Sequence, residues 1–579
     1  MTRIPRLRVL ALAVLVSLAA SGAALAQSTT RVSVSSNGLQ GDDVSTTAYV
    51  SDDGRYIVFM TNANDLVPGG NSGQLQVYVH DRQTGITELV SATPGGAPGN
   101  NQSSISNRVS VASAHMSKIV FGSFSNDLVP GDTNNSADVF VRDRLSGVTT
   151  RVSTDVNGQQ GNGHTQSASI SSDGSFVAFD SIAGNLLPND TNGKWDVFVK
   201  NLVTGAVELA SANSFNNFVN GDSFTPAISG DARWVAFMSD SSQLVQGDTN
   251  GVRDIFVRDR LNGATERVSV STLGLAANDV SEYPAISANG IQVLFQSFAT
   301  NLVASDTNGF SDVFLRDRAL GTTRRLSVSS AGVQANAQSY PGSITPRGRY
   351  VAFWSAANNL LAGDTNGKPD VFRLDLKTQA LLLLSVSSAG AQGNEFSDWP
   401  AMSASGSVIA FASMATNLIA GDANFIRDVF VRDLTSSAAP IVSYCTAKAS
   451  SAGCIGSIGT SGIACVASSD AFRLCAGNLP EFSTGLFFWG KNPSATPFHG
   501  GTLCVAPPLA RSPVSNTGVN LSNSSCTGAT AFPITTAAFA SHGFVAGDTG
   551  YAQFWLRDPG FPAPNNLALT DGVAFVIEP

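Results

Sequence analysis

Cysteine is absent from the first 444 residues, histidine occurs only five times, and charged side chains make up just 13% of the chain. Each shortage excludes something. With no Cys near residue 26, the N-terminus offers no thiol for a bacterial lipid anchor. No C-x-x-C pair exists, which removes the usual zinc and thioredoxin-like arrangements. His80, His115, His164, His499 and His542 share no recurring position and form no ligand pair, so a histidine metal centre has no basis. Beyond residue 26 no apolar run is long enough to cross a membrane as a helix. The 3.6-residue apolar spacing of amphipathic helices is missing too, which excludes a helical solenoid.

What is present begins with Arg3, Arg6 and Arg8, an apolar run from Val9 to Ala20, and Ala24-Leu25-Ala26. This is the order of a secretory signal peptide over residues 1–26, so the mature chain is expected to be secreted or periplasmic. Losing that segment removes three Arg and no acid, moving the formal charge from −9 to −12. An acidic exported chain argues against nucleic acid and anionic membranes as partners and is compatible with cations. A monomer without membrane insertion is expected. The 55 Gly, with abundant Ser, Thr and Asn, suit short strands and tight turns.

Repetition decides the fold class. Phe121, Phe179, Phe237, Phe295, Phe353 and Phe411 stand 58 residues apart, with Phe59 ahead of them. Phe140, Phe198, Phe256, Phe314, Phe372 and Phe430 keep the same step, with Tyr78 ahead. Seven units therefore lie between about residues 30 and 443. Each reads as four strands: a short one such as "PAIS" (284–287), a turn such as Asp173-Gly174, an apolar strand such as "RYVAFW", the connection "GDTNG", the strand "DVFVRD", another Gly turn, and "TTRVSVS". Four meandering strands repeated seven times predict an all-β, seven-bladed β-propeller over residues 27–443. Fourth-strand copies occur at both 31–35 and 441–444, one more than seven units need. The surplus is expected if the N-terminal strand fastens the ring, and either copy could take the outer place in the last unit.

The "S-x-DGRYVAF…DVFVRD" pattern resembles the WD40-like (PD40) repeats of the TolB-type propeller family, over residues 30–443. The resemblance implies a bacterial periplasmic or secreted protein and a protein-interaction role. The chain departs from the family's namesake, which carries an α/β domain before six blades.

From residue 444 the repeat stops. "GLFFWG" (485–490), "AQFWLRDP" (552–559) and "GVAFVIEP" (572–579) read as strands. Cys445, Cys454, Cys465, Cys475, Cys504 and Cys526 form an even, confined set, which in an exported chain reads as a disulfide framework. Cys465–Cys475 is the most hairpin-like pair among fifteen possible connectivities. Residues 444–579 are thus expected to form a small disulfide-stapled β-sandwich, resembling C-terminal domains of secreted bacterial repeat proteins. Phe487, Phe488, Trp489, Phe554 and Trp555 suit its core, with a sugar-stacking platform as the alternative.

The recurring connection places Asp, Asn and Asp at its first, third and seventh positions. The sets are Asp132/Asn134/Asp138, Asp190/Asn192/Asp196, Asp248/Asn250/Asp254, Asp306/Asn308/Asp312, Asp364/Asn366/Asp370 and Asp422/Asn424/Asp428. Alternate oxygen-bearing side chains on a turning loop are a calcium signal. The competing reading is a turn held by side-chain-to-backbone bonds, with the last Asp tying strands together. The first unit has Gly70, Ser72 and Gln76 at those places and should bind no metal. The connection shares a rim with "QGDD" (40–43), "NGDS" (220–223) and "QGNE" (392–395), an acidic, Asn-rich face that is the candidate recognition surface.

No nucleophile stands in a catalytic context. "GDSFT" (221–225) is one version of a repeated connection, and "CIGSIG" (454–459) misses G-x-S-x-G by one place. The sequence thus favours a non-catalytic exported binding protein, with a protein or glycan ligand and calcium as the one candidate cofactor. The alternatives are a glycosidase or lyase with carboxylates at the propeller mouth, and a structural envelope or matrix protein.

Overall fold

A computed structural model describes residues 27–435 except 71–72, 107–108, 115 and 423, together with strands and a few flanking positions between 443 and 576. Residues 1–26, Cys454, Cys465 and Cys526 lie outside the described residues, as do the side chains of Cys445, Cys475 and Cys504, so the signal peptide and the disulfides do too. No described helix is long and apolar enough to cross a membrane.

The repeat folds as predicted into four-stranded antiparallel sheets, seven of them among the described residues. The first contains Ser45–Val50, Tyr56–Thr61, Gln76–Asp81 and Thr87–Leu89; the fourth contains Ser223–Ile228, Trp234–Ser239, Asp254–Asp259 and Ala264–Arg267. Neighbours in sequence are neighbours in the sheet, as short Gly turns require. The first strands of the third to seventh sheets touch in succession, and that of the seventh touches that of the first. The sheets therefore close around an axis lined by first strands, the arrangement of a β-propeller.

Both aromatic series meet inside each sheet. Phe353 lies opposite Phe372 in register with ring centroids 5.5 Å apart, and Phe121–Phe140, Phe237–Phe256 and Phe59–Tyr78 repeat the contact at 5.8–6.0 Å. All of these rings are buried. Cross-strand pairs of this kind fix register, because a slip of one strand by one residue would turn its ring to the other face and part the pair.

The seventh sheet settles which end closes the ring. Its strands Ser397–Met402, Val408–Ser413 and Asp428–Asp433 take Ser28–Arg31 as the outer member, with Thr30 opposite Val431. The pairing starts three residues before the expected Arg31, and Val32 to Ser35 continue as a turn bridged by Val34 and Gln40. The competing segment, Ser443–Cys445, pairs instead with Gly572–Val576. That strand belongs to a seven-stranded sheet containing Thr484–Gly490 and Thr549–Arg557, near the expected ranges. Phe487, Phe488, Trp489 and Phe554 are buried, as the core reading expects, and the Phe487 and Phe554 rings lie 4.7 Å apart.

Candidate functional site

Each sheet from the second to the seventh carries one Asp-Asn-Asp set in its second-to-third-strand connection. In the fourth sheet Asn250 Oδ1 accepts the Val252 N–H, the bond of an Asx turn. Its Nδ2 donates to Asp254 Oδ2 at 2.7 Å and to the Ala277 carbonyl at 3.0 Å. Ser269 Oγ donates to the other oxygen, Asp254 Oδ1. The same partners recur for Asp138 (Asn134, Ser153), Asp196 (Asn192, Ser211) and Asp312 (Asn308, Ser327). Asn134 also donates to the Gly161 carbonyl, which confirms that the two kinds of connection share one rim.

The last two sets keep the turn and vary the rest. Asn366 Oδ1 accepts the Lys368 N–H at 2.8 Å, and its Nδ2 donates to the Gly393 carbonyl at 2.8 Å. Asn424 Oδ1 accepts the Ile426 N–H at 3.2 Å, while its Nδ2 reaches Asp428 Oδ2 only at 3.5 Å. Asn134, Asn192 and Asn308 accept from Ser136, Lys194 and Phe310 in the same way. In this structure the amide oxygens of these six Asn residues accept backbone N–H groups of their own turns. Each Asn oxygen is committed to its own turn, and each Asn nitrogen is a donor.

The residue after each Asn adopts a left-handed backbone, which explains Gly193, Gly251, Gly309 and Gly367 at φ of 63–70°. Asn135 and Phe425 hold the same conformation at 54° and 56° without that freedom.

A cation reaches four of the six carboxylate pairs, and it is an arginine. Arg267 Nη1 lies 2.7 Å from Asp248 and 3.3 Å from Asp254; Arg325 lies 2.9 and 3.2 Å from Asp306 and Asp312. Arg151 pairs with Asp132 and Asp138, and Arg31 with Asp422 and Asp428. In the third and sixth sheets the matching fourth-strand residues are Leu209 and Leu383. Burial pushes Asp196 and Asp370 up to about 6, each also facing a second carboxylate, Asp190 and Asp364 respectively. In the first sheet Gln76 replaces the acid, accepting from Ser91 and donating to the Gly99 and Asn101 carbonyls. Among the described residues no group of three or more His, Cys, Asp and Glu converges as a metal site.

A second constellation, on the axial strands, was not legible in the sequence. The first strands carry a β-bulge, seen as a register shift between Phe224 and Ala227, Glu282 and Ala285, and Asp398 and Ala401. At these bulges Thr225, Tyr283 and Trp399 adopt φ of 52–57°, a costly backbone for branched or bulky side chains. Bulges re-aim side chains and gather near binding sites. The sixth sheet has Pro341 at that place, and there the innermost strands approach so closely that a Cβ on Gly342 would meet Pro400 at 2.6 Å.

Beside these bulges Tyr340 stacks on Trp354, its cross-strand partner, with centroids 4.1 Å apart and planes 13° from parallel. Trp354 in turn lies 6.5 Å from Trp399 of the next sheet. All three rings are half-buried. The Trp354 Nε1 atom is buried with no hydrogen-bond partner, and so is Gln296 Oε1 at the equivalent place one repeat earlier. Ion pairs stand beside the first strands: Arg253 pairs with Asp240 at 2.9 Å and Glu282 at 2.8 Å between the fourth and fifth sheets, and Arg427 pairs with Asp398, next to Trp399. Third-repeat Asp180, equivalent to Gln296, is pushed up to about 6 by burial. Its oxygens accept N–H groups from Gln166, Ser167 and Thr225, so it braces the third sheet against the fourth.

A separate groove of about 550 Å³ opens between the third and fourth sheets, lined by Leu209, Phe218, Arg258 and Leu261 among others. Its basic groups are occupied: Arg258 donates to the Asn213 carbonyl and Arg260 pairs with Glu208.

Fold and site together define an all-β repeat protein of the β-propeller class. Among solved structures the chain is similar to a TolB of Agrobacterium tumefaciens, at 16% identity over 49% of this chain and 80% of that one, with a TM-score of 0.30. It is similar to the Dos1 propeller at 10% identity, covering 70% and 94% of the two chains, with a TM-score of 0.35. A puromycin-hydrolyzing peptidase of Mycobacterium tuberculosis shares 11% identity over 78% of this chain and 63% of its own length, with a TM-score of 0.40. No family model and no curated protein matches the sequence.

Proposed function

We propose that the chain is an exported, non-catalytic recognition protein: a seven-bladed propeller over residues 27–443 that binds a glycan at its axial aromatic row, with a disulfide-stapled β-sandwich over residues 444–579. The observation that carries the reading is the Tyr340–Trp354–Trp399 row, in which the Trp354 indole N–H has no hydrogen-bond partner. A sugar ring presents a flat C–H face to an aromatic ring and hydroxyls at its edge. Half-buried rings supply the first contact, and the unpartnered Trp354 N–H gains from the second. The strained backbone at Tyr283 and Trp399 fits the same role, since such strain is retained where a side chain must be held for a ligand.

A protein ligand is the second reading, favoured by the ionic rim of Arg253, Glu282, Asp398 and Arg427. The glycosidase or lyase reading draws less support. It needs an acid pair free to exchange protons at the axis, and Asp180 there is held by three backbone donors.

The mature protein applied to an array of bacterial envelope and exopolysaccharide glycans tests the proposal. Saturable retention on one glycan class is expected. Retention of none, with specific capture of an envelope protein instead, would replace the glycan with the second reading.

A further inference from the structure

We propose that the carboxylate pair of the sixth sheet, Asp364 and Asp370, holds a calcium ion where four sister sheets hold a guanidinium. The molecule carries its own controls, because among its six copies of the loop four have a fourth-strand arginine beside the acids and two do not. Arg325 lies opposite Phe314 in the fifth sheet, and Leu383 lies opposite Phe372 in the sixth. The register is the same, so the side chain lost from the sixth sheet is the one that neutralises the pair in the fifth.

The remaining groups leave an oxygen without a partner. Ser385 donates to Asp370 Oδ1 at 2.5 Å. Gln392 Nε2 donates to both Asp364 Oδ1 and Asp370 Oδ2, each at 2.8 Å, while its Oε1 accepts the Thr365 N–H at 3.1 Å. Asp364 Oδ2 is left buried with no hydrogen bond, on a residue only 6% exposed. In the fifth sheet the equivalent glutamine, Gln334, turns its oxygen toward the Arg325 guanidinium at 2.9 Å. Gln334 shows that this side chain can turn its oxygen to a cation, whereas Gln160 and Gln40 keep their nitrogen on the acids beside Arg151 and Arg31. Asn366 stays outside the set, its oxygen bonded to the Lys368 N–H. Two carboxylates, the Gln392 carboxamide oxygen and water make an all-oxygen set, which suits a hard divalent ion rather than zinc or copper.

The other Arg-free copy is different. In the third sheet the Gln392 position is Phe218, and no buried orphan oxygen remains on Asp190 or Asp196. The proposal is confined to the sixth sheet and stands independently of the glycan reading.

The test is calorimetric titration of calcium chloride into the chelator-stripped mature protein at pH 7.5, beside melting curves in calcium and in chelator. The wild type is expected to bind one calcium in a step that Leu383→Arg abolishes, and to melt higher with calcium than with chelator. Leu383→Arg recreates the arrangement of the four sister sheets. Asp364→Asn, which keeps size and removes the charge, must abolish the same step and decides the matter should the arginine fail to fit. No heat and no melting shift in the wild type, or calcium binding that survives both substitutions, would overturn the proposal.

Discussion

Arg31 Nη1 lies 3.2 Å from Asp428 Oδ2, although 397 residues separate them in sequence. Ser33 Oγ donates to the other oxygen of the same carboxylate at 2.6 Å. The N-terminal segment thus supplies the seventh sheet with the Arg and Ser that the second, fourth and fifth sheets take from the end of their own fourth strand and the turn just after it. Closure is a matter of specific chemistry as well as strand pairing.

A substitution that breaks this pairing is expected to loosen the whole ring. The Thr29 N–H points away from the sheet to Ser388 Oγ, so the Thr30 N–H faces the Asp428–Asp433 strand. Thr30→Pro deletes that donor and should cost about 1–3 kcal/mol, read as a lower urea midpoint. Thr30→Val, which keeps the N–H, should leave the midpoint close to wild type.

Phe425 holds φ of 56° at the loop position where four sister copies have Gly, and its side chain is exposed. Phe425→Gly is therefore expected to stabilise the protein, by about 1 kcal/mol, because left-handed backbone costs a non-glycine residue roughly that much. Thermal unfolding reads the gain. The reverse change at Gly251, to Phe, should destabilise by a similar amount.

The two Arg-free pairs predict a distinctive pH dependence in the absence of divalent ions. Asp196 faces Asp190 and Asp222, Asp370 faces Asp364, and burial pushes both up to about 6 from the ordinary 3.8. Between those pH values the folded chain keeps protons that the unfolded chain releases. Stability from these groups therefore grows as pH falls through 6 toward 4 and is lost as pH rises. Denaturant titrations at pH 5 and pH 7.5 should show a smaller difference in the Leu209→Arg, Leu383→Arg double variant than in wild type. Asp259 behaves oppositely: Arg233 lowers it to about 2, so its contribution is lost only as pH falls below 4.

The fold was legible because its determinants are local and repeated. The 58-residue step of Phe353 and Phe372 marks two adjacent strands, and an Asn-Gly turn between them needs no distant information. The closing strand was not decided by sequence, since segments at both ends read alike and only long-range pairing separates them. The acidic loops were recognisable as a set, but their chemistry depends on Arg267 or Leu383 on another strand, which the loop motif does not contain. Spacing alone also could not tell an Asn oxygen aimed at an ion from one bonded to its own turn, as at Asn366 and Asn424. The axial row was invisible for a different reason. Tyr340, Trp354 and Trp399 break the repeat rather than follow it, and the bulges that aim their neighbours leave no fixed residue behind. An aligned comparison of Asp180, Met238, Gln296 and Trp354 could have flagged the position as variable amid a constant frame.

The central claim, recognition at the axial row, is tested most directly by titrating the array-selected oligosaccharide into wild type and Trp354→Ala by calorimetry. Trp354 packs against Tyr340 and Trp399 from the second strand of the sixth sheet, while the neighbouring buried pair Phe353–Phe372 stays intact. Wild type should bind saturably, and Trp354→Ala should bind at least about tenfold more weakly, the loss expected for a stacking ring worth roughly 1.4 kcal/mol. Equal affinity in the two proteins, with unchanged circular dichroism, would contradict the account.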